Sequence, residues 1–277
     1  MHRKEGKVIF IGAGPGDPEL LTIKAMRYLQ QADVVLADRL VSPEILNNYV
    51  SPATEIIAVG KQCRKGASTP QETINALMVL HAKQGKLVVR LKGGDVSIFS
   101  NILDELKELQ AHQVSYELIP GITAALGAAA YAGIPLTARG YATAVRFLTY
   151  YKSEIISANY WKELARTDDT LVFYMSAETL PEVVKQLTSN GVAEDKLLAV
   201  VEQATTAFQR VSISGLYDFV LPENLPASPS LIIVGKVVAL HEQFAWLQPG
   251  AATAEYFPPV AAKLLDYEKE KNNRLTA

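Results

Sequence analysis

The chain has a single cysteine, Cys63, so no disulfide framework can form and a reducing compartment is the expected setting. Histidine is almost as scarce. His2 is terminal, and His81, His112 and His241 stand alone on segments with helical patterning. None has a cysteine or second histidine at ligand spacing, so no metal site is expected. No apolar run is both long enough and free enough of glycine to span a bilayer. The start, Met1-His2-Arg3-Lys4-Glu5, leads straight into a strand without a signal-peptide pattern. Neither G-x-S-x-G nor a Walker loop occurs, which removes the signatures of common hydrolases and NTPases. A net charge of −2 argues against general nucleic-acid binding. What these absences leave is a soluble, cytoplasmic α/β protein. Its 277 residues, 49% of them apolar, suffice for one large or two medium domains.

Charge is present but unevenly spread. Residues 1–152 hold 17 Lys/Arg against 13 Asp/Glu, and residues 153–277 hold 10 against 16. A basic first half suits an anionic ligand, although ordinary surface variation would give the same imbalance.

The most informative stretch is Val8-Ile9-Phe10-Ile11-Gly12-Ala13-Gly14-Pro15-Gly16-Asp17-Pro18-Glu19-Leu20-Leu21-Thr22. Four apolar residues predict a central parallel strand packed on both faces. Gly12, Gly14 and Gly16 allow positive φ and a close approach of the backbone to another molecule. Asp17 reads as an N-cap and Pro18 as a first helical residue. The spacing is not G-x-G-x-x-G and the prolines spoil a dinucleotide helix entry, so the turn predicts a ligand site of another kind. It lies at the carboxyl end of a strand, where open α/β sheets bind ligands.

Further strands are predicted at 32–37, 55–59, 87–91 and 115–119, with helices over 20–31, from Pro43, over 70–84 behind a Thr69 cap, over 101–111 and over 124–132. Asp38 then falls at a strand tip, beside the opening turn if the two strands are neighbours. Lys61 follows the third strand, and Lys92-Gly93-Gly94-Asp95 is a second glycine turn. Two such turns in one sheet predict two walls of one pocket. After Gly133-Ile134-Pro135 the pattern restarts, with strands at 143–150, 170–174, 197–201, 209–214 and 230–237 and helices at 158–166, 178–189, 215–219 and 238–246. This half lacks strict βα alternation and predicts a mixed sheet. The expected domains are 1–135 and 136–248, followed by a tail over 249–277 that reads as a surface helix or frayed end.

The ordered motifs Gly12-Ala13-Gly14-Pro15-Gly16-Asp17-Pro18-Glu19-Leu20-Leu21-Thr22, Ala32-Asp33-Val34-Val35, Asp38-Arg39-Leu40-Val41-Ser42, Val59-Gly60-Lys61, Arg90-Leu91-Lys92-Gly93-Gly94-Asp95, Pro120-Gly121-Ile122-Thr123-Ala124, Tyr131 to Thr137 and Val172-Phe173-Tyr174-Met175 resemble the tetrapyrrole methylase family over about residues 7–247. The resemblance implies two α/β domains, a mostly parallel N-terminal sheet and a mixed C-terminal one, with the active cleft between them. It also implies a homodimer. The implied reaction is successive S-adenosylmethionine-dependent methylation of two pyrrole carbons of uroporphyrinogen III, on the way to sirohaem or cobalamin. S-adenosylhomocysteine is released and no metal is needed. Residue by residue, the resemblance assigns the cofactor to Pro15, Gly93, Gly94, Asp95, Ile98, Thr123, Ala124, Met175, Ala204 and Ser230. Asp38 matches the family's proposed proton acceptor and Lys61 its proposed donor. The substrate carries eight carboxylates, so Arg39, Arg64, Lys65, Arg139 and Arg146 are candidate clamps. No nucleic-acid or membrane partner is expected.

The chain also departs from the family pattern. G-G-D-P-F-I-F-G-R-G-G-E-E is replaced by Gly93-Gly94-Asp95-Val96-Ser97-Ile98-Phe99-Ser100-Asn101-Ile102-Leu103-Asp104-Glu105, a loop expected to be more helix-like. T-H-R is Thr137-Ala138-Arg139, and T-G-H is Thr149-Tyr150-Tyr151. All three changes fall on the tetrapyrrole side. Two alternatives therefore stand beside the main reading: a methylase of another tetrapyrrole intermediate, and a catalytically weakened homologue that binds S-adenosylhomocysteine as a regulator.

Overall fold

A computed structural model describes residues 6–60, 69–151, 155–220, 226–247 and 256–257. The chain divides into two compact units, Met1–Thr123 with Phe257–Ala277, and Ala124–Tyr256. The break thus falls ahead of the helix at Ala124, where the sequence had pointed to Pro135. That helix, α5 (Ala124–Tyr131), belongs with the second unit: Ala125 N donates to Tyr174 Oη at 3.1 Å.

The first unit is a five-stranded sheet of β1 (Lys7–Gly12), β2 (Val34–Ala37), β3 (Glu55–Ala58), β4 (Leu87–Lys92) and β5 (Ser115–Ile119) in the order β3-β2-β4-β1-β5. Every neighbouring pair is parallel. The three inner strands are largely apolar on both faces because both faces are covered, with Arg90 and Lys92 of β4 as buried charges. On one side Ile9, Ile11, Val35, Val89 and Leu91 meet Ala25 and Leu29 of α1 (Ile23–Gln31) and Ile45 of α2 (Pro43–Tyr49). On the other Val8, Phe10, Val34, Leu36 and Val88 meet Ile74, Leu77 and Met78 of α3 (Gln71–Lys83) and Leu109 of α4 (Ile102–Ala111).

The expected helix from Leu20 is interrupted. Asp17 does cap, accepting from Glu19 N at 2.8 Å, but what it caps is a single 3-10 turn over Pro18–Leu20. The α-helix restarts behind a second cap, Thr22, whose Oγ1 accepts from Ala25 N at 3.2 Å.

The second unit continues with β6 (Val145–Thr149), α6 (Ala158–Arg166), β7 (Thr170–Tyr174), α7 (Leu180–Ser189), β8 (Leu197–Glu202), β9 (Arg210–Gly215) and β10 (Ser230–Gly235). The sheet order is β6-β7-β10-β8-β9. Only β6 and β7 are parallel, so the mixed sheet expected from the irregular alternation is present. Trp161 of α6 lies edge-on to Tyr150 at 5.1 Å and stacks on Phe173 at 6.1 Å. Such aromatic pairs each add about 0.5–1.5 kcal/mol beyond the area they bury. The stretch 215–219 is a turn and not a helix, since five residues opening on glycine cannot offset the cost of helix nucleation. The segment expected as a helix over 238–246 splits into a 3-10 stretch, Lys236–Leu240, and a single turn, α8 (His241–Phe244).

Candidate active site

The carboxyl ends of the first sheet bring the two glycine turns together. Because β4 lies between β1 and β2, Asp38 is adjacent to the Lys92 turn and not to the Gly12 turn, a correction to the neighbour relation considered from sequence. The turns are also not two walls. Gly14 N donates to Gly94 O at 3.1 Å and Gly94 N to Gly14 O at 2.8 Å, while Ala13 N donates to Lys92 O at 2.8 Å. They form one hydrogen-bonded surface.

The reason for glycine at position 12 differs from the expected approach to a ligand. A Cβ there would sit 2.6 Å from both Gly121 N and Gly94 O. At Gly93 it would sit 2.9 Å from Leu40 O. These glycines let strand tips touch one another.

Asp95 ties the third tip in. Its Oδ2 accepts from Gly121 N at 2.9 Å and its Oδ1 from Ser97 N at 2.8 Å and Ser97 Oγ at 2.5 Å. Burial alone would raise the Asp95 carboxyl, but these donors hold it below its ordinary value. Pro15 and Thr123 are buried in the same rim, while Ile98 is half-buried. The loop after Asp95 is not helical. Phe99 and Asn101 have φ of 51° and 52°, and α4 begins only at Ile102. A left-handed residue ahead of the helix blocks its extension backwards.

Beneath this rim lies a network that the sequence reading passed over. Arg90 and Lys92 alternate with Val89 and Leu91 on β4, so both point toward the face covered by α3 and α4. Arg90 is 2% exposed. Its Nε donates to Glu105 Oε1 at 2.9 Å, its Nη2 to Asp38 Oδ1 at 2.6 Å, and its Nη1 to Leu36 O at 3.3 Å. Lys92 Nζ donates to Glu105 Oε2 at 2.9 Å. Two cations and two carboxylates therefore balance in a largely dry site. Burial alone would raise Glu105, but Arg90 and Lys92 hold it below its ordinary value. Burial lowers Lys92, with repulsion from Arg90 adding to it. Arg90 is raised despite burial, because Asp38 and Glu105 favour its charge. The available signal was two charges at alternate positions of an otherwise apolar central strand, since a charge there demands a buried partner.

In the second unit three non-glycine residues with positive φ gather at strand tips: Met175 (54°) after β7, and Gln203 (47°) and Thr205 (65°) after β8. Strain of this kind concentrates at functional sites. The turn is wired in place. Thr205 N donates to Gln209 Oε1 at 2.7 Å, Thr206 Oγ1 to Gln203 O at 2.8 Å and Gln203 N to Pro229 O at 2.8 Å. Ala204 is buried within it. Ser230 opens β10 opposite Glu202, so it shares this end of the sheet with Met175 and Ala204. The buried Ser230 Oγ has no hydrogen-bond partner among the described residues, nor has Thr149 Oγ1 at the end of β6. A hydroxyl left without a partner at a strained sheet end fits contact with a polar ligand.

Of the expected clamps, Arg39 is half-buried in the turn after Asp38 and Arg139 is exposed. Arg146 is already taken up. Its Nε donates to Asp169 Oδ2 at 2.6 Å and its Nη1 to Glu163, which raise its pKa further. It also lies three residues back along β6 from Thr149, about 10 Å from the end that holds Met175 and Ser230. Lys61, Arg64 and Lys65 lie outside the described residues. Among the described residues no cluster of three or more His, Cys, Asp or Glu could hold a metal ion, and no helix is long and apolar enough to cross a membrane.

Comparison with known proteins agrees with this fold. The chain spans about half the length of the curated relatives it matches. It is 48% identical over 245 residues to a siroheme synthase of Pseudomonas fluorescens (strain SBW25), covering 88% of this chain and 52% of that protein. Among solved structures, uroporphyrin-III-C-methyltransferase from Thermus thermophilus superposes with a TM-score of 0.73 at 34% identity, over 88% of this chain and 98% of the other. A structure of the Thermus thermophilus enzyme complexed with S-adenyl homocysteine gives a TM-score of 0.68 at 33% identity, over 84% and 93% of the two chains. Residues 7–219 match the family model described as Tetrapyrrole (Corrin/Porphyrin) Methylases, and the chain belongs to that family.

Proposed function

We propose that the protein is an S-adenosylmethionine-dependent C-methyltransferase that converts uroporphyrinogen III to precorrin-2 by way of precorrin-1. The observation that carries this reading is Asp38, a carboxylate presented at the tip of β2 and fixed from below by the buried Arg90. It is supported by likeness to a uroporphyrin-III C-methyltransferase over nearly the whole of that enzyme. When bound, S-adenosylmethionine supplies an electrophilic methyl group on a sulfonium. The residues that the family resemblance assigns to hold it are Pro15, Gly93, Gly94, Asp95, Ile98, Thr123, Ala124, Met175, Ala204 and Ser230. The Ser230 hydroxyl is free to donate or accept.

A pyrrole carbon that gains a methyl group leaves the ring system with one positive charge and one surplus proton. Asp38 takes that proton onto its carboxylate and restores a neutral ring. Arg39 and Arg139 remain candidates for the substrate carboxylates. The same reading carries the expectations of a homodimer and a cytoplasmic setting.

Incubation with S-adenosylmethionine and uroporphyrinogen III should give a dimethylated product by mass, and an active preparation that incorporates no methyl would overturn the reading. Asp38→Asn should lower kcat by about 100-fold or more while leaving S-adenosylhomocysteine affinity within about twofold. Equal loss of both would reject Asp38 as the base.

The departures after Asp95 and at Ala138 favour a second reading, a homologue that binds the cofactor product without turnover. Calorimetry with S-adenosylhomocysteine beside the turnover assay separates the two, since binding alone favours the second.

A further inference from the structure

We infer that Arg90, clamped by Glu105, is a positioning residue that fixes the Asp38 carboxylate in its working orientation. This rests on the methyltransferase reading above. Three features carry it beyond an ordinary buried ion pair. First, one guanidinium bridges two carboxylates with separate nitrogens, Nε to Glu105 at 2.9 Å and Nη2 to Asp38 at 2.6 Å. The planar fork therefore converts the fixed place of Glu105 into a fixed place for Asp38. Second, the anchor is completely enclosed. The Glu105 side chain has no exposure, and it also holds Lys92 at 2.9 Å and accepts from Gln71 at 3.5 Å. Third, burial falls away toward the rim, because the Asp38 side chain is 28% exposed where Arg90 is 2% exposed. Only Oδ1 of Asp38 is engaged, and Oδ2 accepts no hydrogen bond among the described residues. A purely structural network would have no reason to end on a half-tethered carboxylate at a sheet tip. Here a buried anchor, a rigid fork and one free oxygen are arranged in series, which is how a supporting residue orients a proton acceptor.

The chain through Lys92 has a separate part. It neutralises the second oxygen of Glu105, so the anchor is not itself a competing base. Lysine at position 90 would keep the charge but, as a point donor, could not hold both carboxylates in the same geometry.

The test is a double-mutant cycle on the full chain, with Arg90→Lys and Asp38→Asn made singly and together. Steady-state turnover, KM for uroporphyrinogen III, S-adenosylhomocysteine affinity by calorimetry and thermal unfolding are measured for each. Arg90→Lys is expected to lower kcat by about 10- to 100-fold, with KM and cofactor-product affinity changed less than about threefold. In the Asp38→Asn background the same change should cost less than about twofold further, because there is no longer a base to position. Losses that multiply in full would overturn the proposal, since they would mark a general structural defect. If Arg90→Lys does not fold, Glu105→Gln enters the same cycle, with the same two outcomes deciding. An inactive wild-type enzyme removes the methyltransferase reading and this inference with it. An active wild type whose Asp38→Asn variant keeps full turnover overturns this inference alone.

Discussion

The ends of the two sheets solve the same geometric problem in opposite ways. In the all-parallel sheet the tips of β1, β4 and β5 meet at Gly12 and Gly121, where a Cβ would run into main-chain atoms, the Gly94 carbonyl oxygen among them in both cases. In the mixed sheet the corresponding tips turn at Met175, Gln203 and Thr205, which keep their side chains and adopt positive φ at an energetic cost. The first arrangement is steric, with backbone seated on backbone. The second is conformational: the side chain is retained and the backbone is strained. Residues that retain a costly backbone geometry do so because the side chain is needed there, or because the surrounding hydrogen bonds fix the turn. Both conditions hold at Gln203, whose Oε1 accepts from Tyr256 N at 2.7 Å.

This contrast gives predictions of decreasing size. Gly12→Ala should be the most damaging, because its Cβ meets main-chain atoms of two other strand tips and nothing flexible can yield. A loss of about 3 kcal/mol in urea unfolding is expected, and a loss under about 1 kcal/mol would show that the tips can separate.

Met175→Gly should go the other way. Met175 is 55% exposed, so little packing is lost, and glycine adopts the same φ without strain. A gain of about 1 kcal/mol is expected, together with weaker S-adenosylhomocysteine binding if the side chain serves the ligand. Destabilisation would mean that the side chain, and not the turn, dominates there.

The smallest effect concerns Glu117, in the middle of β5. Hydrogen bonds from Lys24, from Lys7 (2.6 Å) and from Tyr28 (2.8 Å) pull its pKa from 4.5 to about 2. Its contribution is therefore fully present above pH 4.5 and is lost as pH falls toward 2. Glu117→Gln should reduce stability at neutral pH by at most about 1 kcal/mol, given its solvent access, and the gap from wild type should close in acid. A gap that widened in acid would reverse the sign of the argument.

Much of this architecture was legible in the sequence because the informative patterns are local. Doubly apolar strands, the Asp17 cap and the lack of βα alternation after Pro135 each rest on a few neighbouring residues. Thr22 illustrates the limit. Periodicity from Leu20 to Gln31 runs through it, yet the structure gives it the cap, since a hydroxyl competes with helix continuation. The order of strands in the sheet depends on pairing across long separations, so the separation of β2 from β1 by β4 could not be read from the chain. The same holds for Arg90. Its partners lie 52 residues before it and 15 after it, and only the fold brings Asp38 and Glu105 to one guanidinium. The family's resemblance supplied Asp38 and Lys61 as individual positions. It did not supply the residue that holds Asp38 in place.

The paired hydrogen bonds between Gly14 and Gly94 have a mechanical consequence. Turns at the ends of parallel strands usually move as separate flaps, each hinged on its own strand. Here the flaps after β1 and β4, some eighty residues apart in the chain, are riveted face to face by two backbone hydrogen bonds. A force applied to one is carried directly by the other, so this rim behaves as one stiff plate. Any opening motion on that side of the molecule must hinge outside it.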